Sequence, residues 1–144
     1  MTIRWTWFAL APLPLRMNAG LAGSATERRS LDRLRAWLRM PEGDVDRLGC
    51  LLAKATAELA WENEAVATRS LATYERLLDS CRQLVEQAQR AGHVDPAADA
   101  EALGGLIVTT HRGLEALAKA AVDTKTLHRI ADAAIDNIAL KVRV

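Results

Sequence analysis

From Ala67 to Ala88 the apolar residues return every three or four positions: Ala67, Leu71, Tyr74, Leu78, Cys81, Val85 and Ala88. Leu77 and Leu84 widen the band, while Arg69, Glu75, Arg76, Asp79, Arg82, Glu86 and Arg90 face the other way. That period is helical, and the polar side identifies a helix with one face buried and one in water. Asn63 is placed to cap its start, and Gly92 offers a left-handed residue to end it near Ala91. A stripe this long has to be covered by other elements, so the rest of the chain must supply them.

It supplies more helices. Thr26 and Glu27 suit the first turn of a helix running to Arg39, with Leu31, Leu34 and Leu38 at helical spacing and Trp37 beside them. Pro41 and Gly43 end it. A short helix from about Leu48 to Ala60 shows Leu51, Leu52, Ala55 and Leu59 on one side. Asp95-Pro96 pairs a capping residue with a first-turn proline and opens a helix to about Val122, with a seam of Leu103, Ile107, Thr110, Leu114, Leu117 and Ala121. Asp123 caps a last helix to about Lys141, whose apolar face holds Leu127, Ile130, Ala131, Ala134, Ile135 and Ile138. The expected fold class is therefore all-α, a bundle of about five helices with short connections and no strand.

The first 26 residues read differently. Trp5, Trp7 and Phe8 cluster, and Pro12 and Pro14 forbid a continuous helix. A leader-peptide reading starts from Arg4, an apolar run and the small residues near Ala22–Ala25, but both prolines and Arg16 interrupt it. The other reading is an irregular arm that packs its aromatics on the bundle or stays loose. The expected organisation is thus an arm over 1–26 and one helical domain over 27–144.

Charge narrows the function classes. The chain has 19 basic and 18 acidic residues, for a net of +1. Removing Arg4 and Arg16 leaves 17 basic groups against 18 acidic ones in the domain. A DNA reader usually shows a basic stripe, and none is visible, so no direct DNA contact is expected. Arg28, Arg29, Arg33, Arg35 and Arg39 form a local cluster that reads as a solvated helix face or a phosphate contact. No apolar run reaches the roughly 18 residues of a membrane span. Two cysteines, Cys50 and Cys81, are too few for a disulfide framework and fit buried thiols in a cytoplasmic protein.

Gly104-Gly105 interrupts an otherwise strong helix at about 0.8–1.0 kcal/mol per glycine, and Gly113 follows two turns on. Ala116, Ala118, Ala120, Ala121, Ala133 and Ala134 crowd the same region. Such small residues let backbones approach. They fit either a flat face that meets a copy of itself across a two-fold axis, or tight packing inside one chain.

From Leu48 to Ile138 the sequence resembles the C-terminal regulatory half of tetracycline-repressor-type (TetR) transcriptional regulators. The matching pieces are Gly-Cys-Leu-Leu-Ala (49–53), Ala-Glu-Leu-Ala (57–60), Ala-Gly-His-Val-Asp-Pro (91–96), Glu-Ala-Leu (101–103), Gly-Leu-Glu-Ala-Leu-Ala (113–118), and Asp123 with Leu127, Ile130 and Asp132. Residues 31–38 look like the helix that precedes this block. The resemblance implies a four-helix dimer interface built from the last two helices of each subunit. Its candidates here are Leu103, Gly104, Leu106, Val108, Gly113, Leu117, Leu127, Ile130, Ala134 and Ile138. It also implies an apolar cavity for a small apolar or amphipathic effector. Residues 1–26 show nothing like the family's helix-turn-helix headpiece, so the expectation is a regulatory half without its own DNA reader.

A ligand pocket needs an apolar lining and a few convergent polar groups. The inner faces offer Trp37, Leu52, Trp61, Tyr74, Leu78, Cys81, Ile107 and His111, each of which also fits plain core. His111 suits a ligand hydrogen bond, a titration near neutral pH, or a pairing with Glu115. His93 is expected in an exposed turn. With His128 added, the histidines and cysteines show no metal-ligand spacing, and no nucleophile–base pattern accompanies them, so neither a metal, another cofactor nor an enzyme activity is expected. The alternative is a helical interaction bundle that forms homo- or heterodimers and takes no small ligand.

Overall fold

The structure is a computed structural model that describes residues 29–39 and 51–139, and the expected 1–26 arm and Cys50 lie outside them. Among the described residues five helices follow one another: α1 (Arg29–Arg39), α2 (Leu51–Leu59), α3 (Glu64–Arg90), α4 (Ala100–Lys119) and α5 (Thr124–Ile138). No strand occurs among the described residues, so the chain is an all-α bundle. None of the described helices is long and apolar enough to cross a membrane.

Side-chain caps start the last three helices. Asn63 accepts the Val66 N–H at 3.1 Å. Asp123 accepts the N–H of Thr126 at 3.0 Å and its hydroxyl at 2.7 Å, and these bonds hold the Asp123 carboxyl below its usual range. The start of α4 differs from expectation. Its cap is Asp99, which accepts from Glu101 and Ala102, four residues beyond Asp95. Asp95 instead closes a turn of its own, accepting from Ala97 at 2.8 Å. Gln89 reaches back to the carbonyls of Asp95 and Ala98 and holds that turn against α3. The helix also ends at Lys119, three residues before Val122.

Two helix ends share one geometry. After α3, Gly92 has φ +74°, its N–H reaches Gln89, and the His93 N–H reaches Ala88. After α4, Ala121 has φ +62°, with N–H bonds from Ala121 to Ala118 and from Val122 to Leu117. Both are left-handed terminations with paired backbone bonds. The first uses the residue that geometry favours, and the second holds an alanine in the same backbone, which is sterically costly.

The core draws on α1, α3, α4, α5 and the Val94 turn. Leu34 and Leu38 enter from α1, Leu77, Cys81, Leu84, Val85 and Ala88 from α3, Ile107 and Leu114 from α4, and Ala131 and Ile135 from α5. Burial of each such leucine or isoleucine side chain contributes about 1.5–3 kcal/mol. The α3 stripe is rotated from expectation towards Leu77 and Leu84. Leu71 is 61 % exposed and Leu78 sits at the surface, because α1 and α4 together cover only the band centred on Cys81. α2 packs on α3, where the Thr56 hydroxyl meets that of Ser70 at 2.9 Å.

α3 and α4 run antiparallel, and their backbones come close at Gly104. A Cβ there would stand 2.8 Å from the Arg82 backbone nitrogen and 3.1 Å from its Cα. Gly104 therefore serves tight packing inside the chain. α1 lies antiparallel to α5 and is clasped to it by charge. Arg35 reaches Asp132 at 3.1 Å and Asp136 at 2.6 Å, and Arg39 reaches Asp132 at 2.6 Å. His128 Nε2 lies 3.1 Å from the Arg39 carbonyl. These two arginines are thus paired carriers of an interhelix contact rather than a free basic face.

Ala121→Gly is expected to raise stability by roughly 0.5–1 kcal/mol, since glycine relieves the left-handed strain but makes the unfolded chain freer. Gly104→Ala gains helix propensity yet must push two backbones apart, for a net loss of about 1–2 kcal/mol. Urea unfolding at one fixed protein concentration measures both changes.

Candidate functional site

The α1 stripe of Ser30, Leu34, Trp37 and Leu38 faces inward at helical spacing, which places the Trp37 indole against α4. There it stacks on His111, with ring centroids 4.0 Å apart and planes 11° from parallel. His111 follows Gly104, Ile107 and Val108 on the buried side of α4 and precedes Leu114. Close approach at Gly104 holds that side near α3, so the histidine is enclosed rather than solvated.

Two charged neighbours share the enclosure. Arg112 Nη2 lies 2.9 Å from His111 Nδ1, and Arg112 Nη1 lies 2.8 Å from Glu115 Oε2. A guanidinium donates and cannot accept, so Nδ1 is the acceptor and the imidazole proton sits on Nε2. Burial, and secondarily the Arg112 charge, push the His111 pKa down to about 3. The ring is neutral at physiological pH, which corrects the expectation of a titration near neutrality. The 3.9 Å approach of Glu115 Oε1 to His111 is then no ion pair. Burial raises the Glu115 carboxyl above its usual value, against the pull of Arg112 and Lys119.

The other expected ligand contacts scatter. Cys81 and Ile107 are fully buried in the same core, and Tyr74 packs partly buried against it. Leu52 is buried on α2, outside that core. Trp61 is 80 % exposed in the turn before α3, and Leu78 is also at the surface. Burial pushes the Cys81 thiol up to about 12, which leaves it unreactive. His93 is half-buried. No group of three or more metal-ligating side chains occurs among the described residues.

The sequence marks His111 and Trp37 as site candidates, whereas Arg112 does not stand out in it and Glu115 enters only as a histidine partner. The available signal was the i, i+3 placement of Arg112 and Glu115 on the edge of the buried α4 stripe, where a long charged chain folds inward beside His111.

A second feature is the outer face of α4. Ala102, Leu106, Thr109, Gly113, Ala116, Leu117 and Ala120 are exposed, and none carries charge. Leu106 is 51 % exposed, and among the described residues nothing lies within 4 Å of a Cβ built at Gly113. Ile130 extends this surface on α5. Leu103, Ala134 and Ile138 are partly buried against the core. Gly104, Val108 and Leu127, expected on the same interface, are covered by the chain's own residues.

The family model described as "Tetracyclin repressor-like, C-terminal domain" matches residues 28–134. A search of curated proteins returns no match, and neither does a search of solved structures.

Neutrality of His111 has a measurable consequence. The folded ring takes its proton only near pH 3, whereas an unfolded histidine takes it near 6.5. Between those values the unfolded chain binds more protons, so this group lowers stability as pH falls from 6.5. Glu115 opposes it, because its raised folded pKa favours the folded state on acidification. His111→Gln is expected to remove the histidine share of the slope in chemical denaturation between pH 7 and 4.5. The His111 ring proton shifts in NMR should stay constant over the same range.

Proposed function

The chain belongs to the tetracyclin repressor-like C-terminal domain family, and we propose that it is the effector-sensing and dimerisation half of a TetR-type transcriptional regulator working in the cytoplasm. The observation that carries this reading is the uncharged outer face of α4. A solvated helix distributes charge around its outer side, but here Glu101, Arg112, Glu115 and Lys119 keep to one flank. Gly113 costs about 0.8–1.0 kcal/mol relative to alanine in a helix interior, and among the described residues no atom comes within 4 Å of the Cβ it lacks. A second copy of α4 and α5 packing across a two-fold axis gives that glycine a reason and covers Leu106, Leu117 and Ile130. Such an interface would bury on the order of 2,000 Å².

The sensing half of the reading rests on the enclosed polar cluster under Trp37. Apolar walls with a few convergent polar groups are what small-molecule sites share, and His111, Arg112 and Glu115 supply those groups. The effector class is a small apolar or amphipathic molecule.

Light scattering on a sizing column at micromolar concentration tests the dimer. The wild type is expected to run at twice the chain mass and Leu106→Glu at the chain mass, while a monomeric wild type removes the dimerisation half of the proposal. In the Leu106→Glu background, Gly113→Ala should add about 0.8–1.0 kcal/mol to stability, yet in the wild type it should loosen the dimer at least tenfold. A thermal-shift screen with apolar and amphipathic compounds tests sensing. A binder at a hundredfold excess over its Kd adds about 2.7 kcal/mol, and a screen without any shift leaves an interaction bundle.

A further inference from the structure

Arg112 brings more hydrogen-bonding capacity into the protein than the protein satisfies. Its guanidinium has five N–H donors and stays charged at any physiological pH. Nη2 is used on His111. Nε and Nη1 are shut off from solvent and have no hydrogen-bond acceptor among the described residues. Nη1 stands 2.8 Å from Glu115 Oε2, so the charges are paired, but the two groups are not aligned for a hydrogen bond. Glu115 Oε2 is itself buried without a donor. Buried polar atoms are nearly always satisfied, so an exception calls for an explanation, and a polar partner is one that fits here.

The character of the missing partner follows from the donors. A guanidinium matches the planar, two-oxygen geometry of a carboxylate, and such charge-assisted pairs are the strong ones. His111 Nδ1 is occupied as an acceptor and the ring carries no charge, so the site presents one positive group rather than two. The buried Trp37 indole, stacked on the His111 ring, gives the site an apolar neighbour. Resting on the effector-sensing reading, the geometry points to Arg112 as the anchor for a carboxylate-bearing small molecule, with Glu115 as the internal counter-ion that the ligand replaces. Glu115 is suited to that part. Its burial disfavours the ionised form, so it can accept a proton as the ligand carboxylate arrives and leave the site electrically balanced.

Titration calorimetry on the full chain tests this with matched probes: benzoate and octanoate against benzamide and octanamide, with phenyl phosphate as a second anion. At least one carboxylate is expected to bind tenfold or more tightly than its amide. Arg112→Met should remove that preference. Glu115→Gln, which keeps the shape but not the charge, should bind the carboxylate at least threefold more tightly. Should Arg112→Met fail to fold, the gain in Glu115→Gln and the carboxylate-to-amide ratio in the wild type carry the test. Equal binding of acid and amide, weaker binding in Glu115→Gln, stronger binding of phenyl phosphate, or no binding of any probe overturns the carboxylate assignment. If the amides bind and the acids do not, or if the wider thermal-shift screen finds a neutral or cationic binder, the sensing reading stands and only the carboxylate assignment falls.

Discussion

The bundle depends on one place where two backbones nearly touch. At Gly104 the missing side chain lets α4 settle onto the Cys81–Arg82 segment of α3. A larger residue would clash with that backbone and force the two helices apart there. The close approach sets the rotation of α4, and rotation decides what each residue does. Ile107, His111 and Leu114 turn inward, Arg112 and Glu115 fall on the edge, and Leu106, Gly113 and Leu117 face out. The enclosed cluster and the bare outer face are two readouts of a single helix orientation.

α1 completes the cluster from the other side. It presents Trp37 to the interior and Arg35 and Arg39 to α5, so one short helix is joined both to the site and to a helix of the candidate interface. The two attachments differ in kind. Ring stacking in the interior is insensitive to salt, whereas the arginine–aspartate clasp is half-exposed and weakens with ionic strength. Asp132, bridged by both arginines, is held below its usual carboxylate range, first by its bond to Arg39.

Much of this was legible in the residues. Asn63, Gly92 and Asp123 announce helix ends through short-range chemistry, and all three act as expected. The start of α4 was not legible, because Asp95 and Asp99 both satisfy the capping pattern. Gln89, a residue of the preceding helix, holds the Asp95–Ala98 turn and leaves Asp99 to start the helix. The α3 stripe was visible, but its centre was not. Whether Leu71 or Leu77 is buried depends on where α1 and α4 lie, and local periodicity is blind to that. The same limit explains Trp61, which belongs to a turn and points outward, and Gly104, whose partner is a backbone 22 positions earlier. His111 and Trp37 stood out as unusual residues on inner faces. Arg112 and Glu115 did not, because an i, i+3 ion pair on a helix edge looks the same whether it is solvated or enclosed.

The two left-handed corners differ in mechanical character. Glycine at 92 has a wide basin on both signs of φ, so the α3–α4 joint can flex without leaving its allowed region. Alanine at 121 has only a small left-handed well bounded by steric walls. The joint between α4 and α5 therefore behaves as a latch: it keeps one angle or gives it up entirely. Such an elbow restrains the direction in which α5 leaves α4.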